Sequence, residues 1–181
     1  MQVCPTALPG VLLLEPRVFR DTRGQFSETW NAAAFAALGI AAPFVQENHS
    51  RSHRNVLRGL HYQIEHAQGK LVRVVRGAVH DVVVDLRRSS PHFGRHCATR
   101  MTEDDARLLW VPPGFAHGFL ALTEPADVVY LVTDVYAPQH ERTLLWNDPA
   151  LAIDWPLRGA APVLSDKDAA GVPLAQAETY P

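Results

Sequence analysis

The chain has 181 residues, 47% hydrophobic and 20% charged, with a formal net charge of −2, which suits one globular domain with an ample core. Near-neutral charge without a basic tail or cationic run argues against a nucleic acid or an anionic membrane as partner. No apolar run approaches the roughly 20 residues that span a bilayer, the N-terminus lacks the pattern of a signal peptide, and Cys4 and Cys97 need no disulfide framework, so a cytoplasmic protein is expected.

In chain order, strands are predicted over 11–14 and 24–30, followed by a helix over 31–38. Asn31 is its N-cap, the interior is alanine-rich, Phe35 and Leu38 share one face, and Gly39 ends it. Further strands are predicted over 57–63, 71–75, 78–86, 96–101, 108–111, 119–122 and 128–135, and a second short helix begins at Ser165. These strands are short, β-branched or aromatic, and separated by Pro, Gly, Asp and Ser turns. That spacing marks an all-β sandwich or barrel, with a double-sheet jelly roll the first choice. The domain is expected to fill residues 1–181, its core at about 45–140, with N-terminal strands and a C-terminal helical segment packed on it.

Several residues carry potential chemistry. Lys70 and Lys167 are the only lysines in a chain otherwise rich in arginine. An ammonium on a flexible stem is not interchangeable with a planar guanidinium, which makes both candidates for function. In the strand Leu60-His61-Tyr62-Gln63, alternation puts His61 and Gln63 on one face and Leu60 and Tyr62 on the other. His61 is either a structural group or a base. In the aliphatic strand that follows, Asp81 and Asp85 share a face with Val83, and a solvated face is the expected arrangement. The run Pro112-Pro113-Gly114-Phe115-Ala116-His117 reads as a rigid turn delivering His117 into the next strand. Tyr130 lies in an apolar run, where a buried hydroxyl needs a partner. Ser165-Asp166-Lys167-Asp168 has the form of a helix cap, which would keep Asp168 ionised and rigid. A cupin-type metal site wants His-x-His on one strand face, and no such pair occurs in the chain; no metal is expected.

Taken together, Arg58-Gly59-Leu60-His61-Tyr62-Gln63, Ala67-Gln68-Gly69-Lys70, Gly114-Phe115-Ala116-His117-Gly118-Phe119, Trp146-Asn147-Asp148-Pro149 and Leu164-Ser165-Asp166-Lys167-Asp168 resemble the dTDP-4-dehydrorhamnose 3,5-epimerase family. Phe19-x-Asp21-x-Arg23-Gly24 and Val45-Gln46-x-Asn48-His49-Ser50 fit in the same order. The resemblance implies a cupin-type jelly roll without metal or redox cofactor, working as a homodimer. Its implied substrate is dTDP-4-dehydro-6-deoxyglucose, on the route to dTDP-L-rhamnose. It further implies His61 as base, Tyr130 as the acid on the opposite sugar face, Asp168 as the carboxylate orienting His61, and Lys70 as the cation at the C4 oxygen. Arg23, Glu28, Gln46, Asn48, Arg58, His117, Glu141 and Lys167 fall at nucleotide-sugar positions, and Tyr136 at that of the aromatic stacked on thymine. In the family the N-terminal segment reaches the partner subunit's site, so Arg23 and Glu28 are expected to act in trans. The chain departs from many members at Leu131 and Val135. Two alternatives stay open: a dTDP-sugar epimerase acting at C3 only, and a metal-dependent cupin enzyme.

Overall fold

The computed structural model describes residues 1–181. Its strands are β1 (Gln2–Pro5), β2 (Leu12–Glu15), β3 (Val18–Asp21), β4 (Gly24–Ser27), β5 (Gln46–Ser52), β6 (Leu57–Gln63), β7 (Lys70–Arg76), β8 (Ala78–Asp85), β9 (His96–Thr102), β10 (Leu108–Val111), β11 (Phe115–Ala121), β12 (Ala126–Val132) and β13 (Glu141–Thr143). Two short helices, α1 (Ala32–Ala37) and α2 (Asp166–Ala169), accompany them. One sheet runs β1-β2-β10-β7-β12-β5 and the other β13-β6-β11-β8-β9, every pairing antiparallel; β3 and β4 form a separate hairpin. Two antiparallel sheets face to face give the cupin-type jelly roll.

The period-2 alternation of each strand divides the apolar residues into three packed layers. Between the sheets lie Val72, Val74, Val79, Val83, Leu109, Phe119 and Val128. Outside the five-stranded sheet, Leu57, Leu60, Tyr62, Val82, Val84 and Leu120 pack against Leu144, Leu151 and Trp155 of the C-terminal segment. Outside the six-stranded sheet, Leu14, Leu71, Leu108 and Trp110 pack under Phe35 and Ile40 of the α1 region. Both sheets are therefore covered on both faces where they cross the centre of the molecule, which is why β8 and β11 are buried almost throughout.

Three expectations are corrected. Asp81 and Asp85 are not on a solvated face: both are buried. Asp81 accepts a bond from His117, and Asp85 binds Arg87 and Ser90, so each carboxylate has the partner that burial demands. The strand predicted over 119–122 begins at Phe115, so it already holds His117 directly after the turn. The predicted 128–135 strand stops at Val132, because the next four residues turn away along the rim of a cavity. Strand β5 escaped prediction altogether. Its alternation is polar on both faces, Gln46, Asn48 and Ser50 against Glu47, His49 and Arg51, so no apolar periodicity marks it.

Candidate active site

A cavity of about 370 Å³ opens between the sheets. The six-stranded sheet contributes Gln46, Asn48 and Ser50 from β5, Lys70 from β7 and Tyr130 from β12. The five-stranded sheet contributes Arg58, His61 and Gln63 from β6 and His117 and Phe119 from β11. His61 and His117 are cross-strand partners, and so are Tyr130 and Asn48. His61 and Tyr130 thus reach one cavity from opposite walls.

The backbone around His61 is unusually close-packed. A Cβ on Gly59 would stand 2.5 Å from the Cα of Gly118, and a Cβ on Gly118 would stand 2.6 Å from the carbonyl oxygen of Arg58. Only glycines allow β6 and β11 to approach this closely, and the register shifts between His117 and Phe119 at that point. The amide of Gly59 is then free to donate to Asp168 Oδ1 at 3.3 Å.

Asp168 comes from α2, at the far end of the chain. Ser165 caps that helix, its Oγ accepting from the Asp168 amide at 3.2 Å and donating to Asp168 Oδ2 at 2.7 Å. The helix cap expected from the sequence and the carboxylate beside His61 are one residue with both jobs. Asp168 Oδ1 lies 2.5 Å from His61 Nε2. Burial alone would raise the Asp168 pKa, but the hydrogen bonds from His61 and Ser165 outweigh it and hold the carboxyl below its ordinary range. Burial lowers the pKa of His61 more than the Asp168 contact raises it. The resting pair is therefore carboxylate and neutral imidazole. The carboxylate fixes the proton on Nε2 and leaves the lone pair on Nδ1.

Lys70 is buried, and its ammonium donates to a single acceptor, the carbonyl of His61, at 3.2 Å. Burial lowers its pKa from 10.5 to about 8. Burial raises that of Tyr130 above 10. At the rim, Glu141 accepts from Lys167 at 2.8 Å and from the Tyr136 hydroxyl at 2.8 Å. Burial would raise the pKa of Glu141, but these two bonds lower it. Half of the Tyr136 surface remains exposed. His117 Nε2 sits 2.9 and 3.0 Å from the two oxygens of buried Asp81.

All the residues assigned to the site from the sequence line this cavity except Arg23 and Glu28. Arg23 pairs with Asp21 on the β3–β4 hairpin, and Glu28 accepts from Asn31. Sequence reasoning passed over Gln63, Gln68, Ser50 and Phe119 as cavity residues and Asp81 as the partner of His117. The face shared by His61 and Gln63 was a usable signal for the first of them. No group of three or more His, Cys, Asp or Glu side chains is placed to hold a metal ion. The departures at Leu131 and Val135 lie off the cavity: Leu131 packs in the outer layer near Phe35, and Val135 is exposed.

Chemically, the cavity presents a neutral imidazole on one wall, a phenol on the other, and an ammonium with unused hydrogens. Such a set can take a proton from a carbon acid on one face, hold the resulting anion, and return a proton to the other face.

Residues 5–176 match the sequence model of a family described as dTDP-4-dehydrorhamnose 3,5-epimerase. The chain is 54% identical over 182 residues to a protein of that name from Pseudomonas aeruginosa, covering 100% of both. It is 51% identical over 179 residues to one from Salmonella typhimurium, covering 98% of this chain and 97% of the relative. A crystal structure of dTDP-6-deoxy-D-glucose-3,5-epimerase from Legionella pneumophila, in complex with dTDP-4-keto-L-rhamnose, superposes with a TM-score of 0.95 at 44% identity, covering 98% and 94% of the two chains.

Proposed function

The chain belongs to the dTDP-4-dehydrorhamnose 3,5-epimerase family, and from that membership we propose how this cavity turns dTDP-4-dehydro-6-deoxy-D-glucose into dTDP-4-dehydro-L-rhamnose. The protein is an isomerase, and its reaction inverts C3 and C5 of the sugar. The observation that carries the reading is the arrival of His61 and Tyr130 from opposite sheets at one cavity that Lys70 also lines.

Both reacting carbons flank the C4 ketone, so loss of either proton gives an enolate with its charge on O4. His61 removes the proton through Nδ1 while Asp168 stabilises the imidazolium that forms, as in other histidine–carboxylate pairs. Lys70 has one carbonyl partner in the resting site and directs its remaining hydrogens to O4. Loss of such a donor commonly costs roughly 3–4 kcal/mol of barrier. Tyr130, a phenol protonated at neutral pH whose pKa burial raises further, reprotonates the carbon from the other face. Return of a proton to the same face would regenerate the substrate, so inversion requires this second group.

The other lining residues assigned from the sequence hold the nucleotide. Arg58 lines the cavity and suits a diphosphate oxygen. Gln46, Asn48, His117, Glu141 and Lys167 contact sugar and nucleoside, and Tyr136 offers its exposed ring face to thymine. Arg23 and Glu28, remote from the cavity of their own chain, complete the site of a second copy in a homodimer. The hairpin carrying Arg23 supports this, since it joins neither sheet and leaves Phe26 69% exposed. No helix is long and apolar enough to cross a membrane; a cytoplasmic location belongs to the same proposal, as does catalysis without metal or redox cofactor. Undiminished turnover after exhaustive chelation is the expected result, and loss of activity restored by one divalent metal would replace the reading with the metal-dependent one.

Exchange in D2O tests the reaction itself. Incubation with the ketosugar nucleotide is expected to place deuterium at both C3 and C5. Deuterium confined to C3 would make the protein a 3-epimerase, and no exchange at either carbon would remove the enolate mechanism.

A further inference from the structure

Immediately after β12 the chain runs through Asp134, Val135, Tyr136 and Ala137, and this short segment is gripped by three glutamine side chains from outside it. Gln68 donates to the Asp134 carbonyl at 2.9 Å. Gln63 donates to the Val135 carbonyl at 3.3 Å and accepts from the Ala137 amide at 2.9 Å. Gln46 accepts from the Tyr136 amide at 3.0 Å. Four consecutive residues thus each have a backbone polar group satisfied by an amide side chain, although the segment belongs to no sheet. Gln63 is the centre of this clamp. It is buried, it also donates to the His66 carbonyl at 2.8 Å, and its own carbonyl accepts from Tyr180.

A loop that turns away from a sheet loses the ladder that would otherwise order it, and an exposed aromatic on such a loop samples many positions. Here the only exposed side chain with a large flat face on the rim is Tyr136, and its hydroxyl is already held by Glu141. With the backbone fixed on both sides of it, the ring is held before any ligand arrives. Such preorganisation strengthens binding by removing the ordering cost from the binding step. Gln63 lies two residues beyond His61 on the same face of β6, so one strand sets both the base and the ring that faces the nucleotide.

We infer that Gln63, assisted by Gln68, is a positioning residue that fixes the Asp134–Ala137 segment so that Tyr136 forms a preset stacking surface for the nucleobase, and that it acts on nucleotide affinity rather than on proton transfer. This rests on the reading of Tyr136 as the base-stacking residue. The test is a double-mutant cycle between Gln63→Leu and Tyr136→Ala, read by calorimetric titration with dTDP and by steady-state kinetics on the ketosugar nucleotide. Gln63→Leu is expected to weaken dTDP binding about tenfold and to raise KM in parallel, with kcat changed less than about threefold. In the double variant it should add almost nothing to Tyr136→Ala, because a residue that acts through a ring has no effect once the ring is gone. Gln68→Leu, which removes one bond of the clamp, should shift affinity in the same direction by less. It serves as the readout if Gln63→Leu does not fold.

Unchanged dTDP affinity in Gln63→Leu and Gln68→Leu beside a weakened Tyr136→Ala would overturn the proposal and leave Tyr136 in its role. Additive effects, or a kcat that falls as far as kcat/KM, would also overturn it, by showing a direct or a chemical role. Tyr136→Ala binding dTDP like the parent would instead remove the stacking reading on which the proposal stands.

Discussion

At the scale of the residue, the roles proposed for His61 and Lys70 make their ionisation set when the site works. His61 acts as a neutral imidazole, and burial lowers its pKa, so its functional form persists below pH 6.5. Lys70 acts as a cation and loses its proton at about 8. The profile of kcat/KM against pH is therefore expected to be bell-shaped, with an acid limb below 6.5 and an alkaline limb near 8. An alkaline limb at 10 or above would assign that limb to Tyr130 and remove Lys70 from its role at O4. The same lysine burdens the fold. The unfolded chain keeps its proton up to about 10.5 and the folded chain only to about 8, so the charge destabilises the fold fully below 8, and this cost fades as pH rises toward 10.5. The difference corresponds to about 3 kcal/mol. Lys70→Met is accordingly expected to raise the melting temperature at pH 7 while lowering kcat by about 10²–10³. A variant that is both slow and less stable would contradict the assignment of a buried, destabilising ammonium. None of these values is readable from sequence. Lys70 stands out there as one of two lysines, but burial, which shifts its pKa, is a property of the assembled sheets.

At the scale of the element, β6 and β11 decide the geometry of the base. Gly118 leaves no room for a methyl group, since its Cβ would meet the Arg58 carbonyl at 2.6 Å and the Gly59 Cα at 3.0 Å, both main-chain atoms with nowhere to move. Gly118→Ala is expected to cost about 1–3 kcal/mol in denaturant unfolding and to lower kcat, because the strands that separate carry His61 and His117. Unchanged stability would show that the close approach is not required. The elements differ in how legible they were. Strand β6 and strand β10 were predicted with the bounds observed, because short runs bearing apolar and aromatic residues, bounded by turn residues, mark them. Strand β5 was missed for the reason that makes it useful: one face lines a polar cavity and the other meets solvent, so neither face is apolar. The pairing of Asp81 with His117 was hidden as well. Carboxylates on an aliphatic strand look solvated until the register of β8 against β11 sets His117 across from Val83, within reach of Asp81.

At the scale of the whole molecule, the proposed homodimer is tested at the β3–β4 hairpin. It stands apart from both sheets, and isolated two-stranded hairpins are marginal in water. A dimer of twice the 20.0 kDa chain mass is expected in sedimentation equilibrium. Mixing inactive His61→Asn and Arg23→Ala proteins should restore activity, because a mixed dimer contains one site with an intact base and an intact arginine from the neighbouring chain. No recovery, in a sample shown to exchange subunits, would place Arg23 in the site of its own chain or in none.

The order of motifs along the chain was enough by itself to determine the family and the all-β class and to single out His61, Tyr130 and Lys70 as candidates, because these depend on residue type and on short spacings that survive without coordinates. The side on which each group stands was decided only by the tertiary structure. Residues 61, 130 and 168 lie on different strands and a terminal helix, and their meeting depends on sheet pairing, on the close contact of Gly59 with Gly118, and on the return of the C-terminal segment across the five-stranded sheet. Contacts between residues so far apart in sequence arise from the simultaneous packing of all the layers, and no local pattern encodes them.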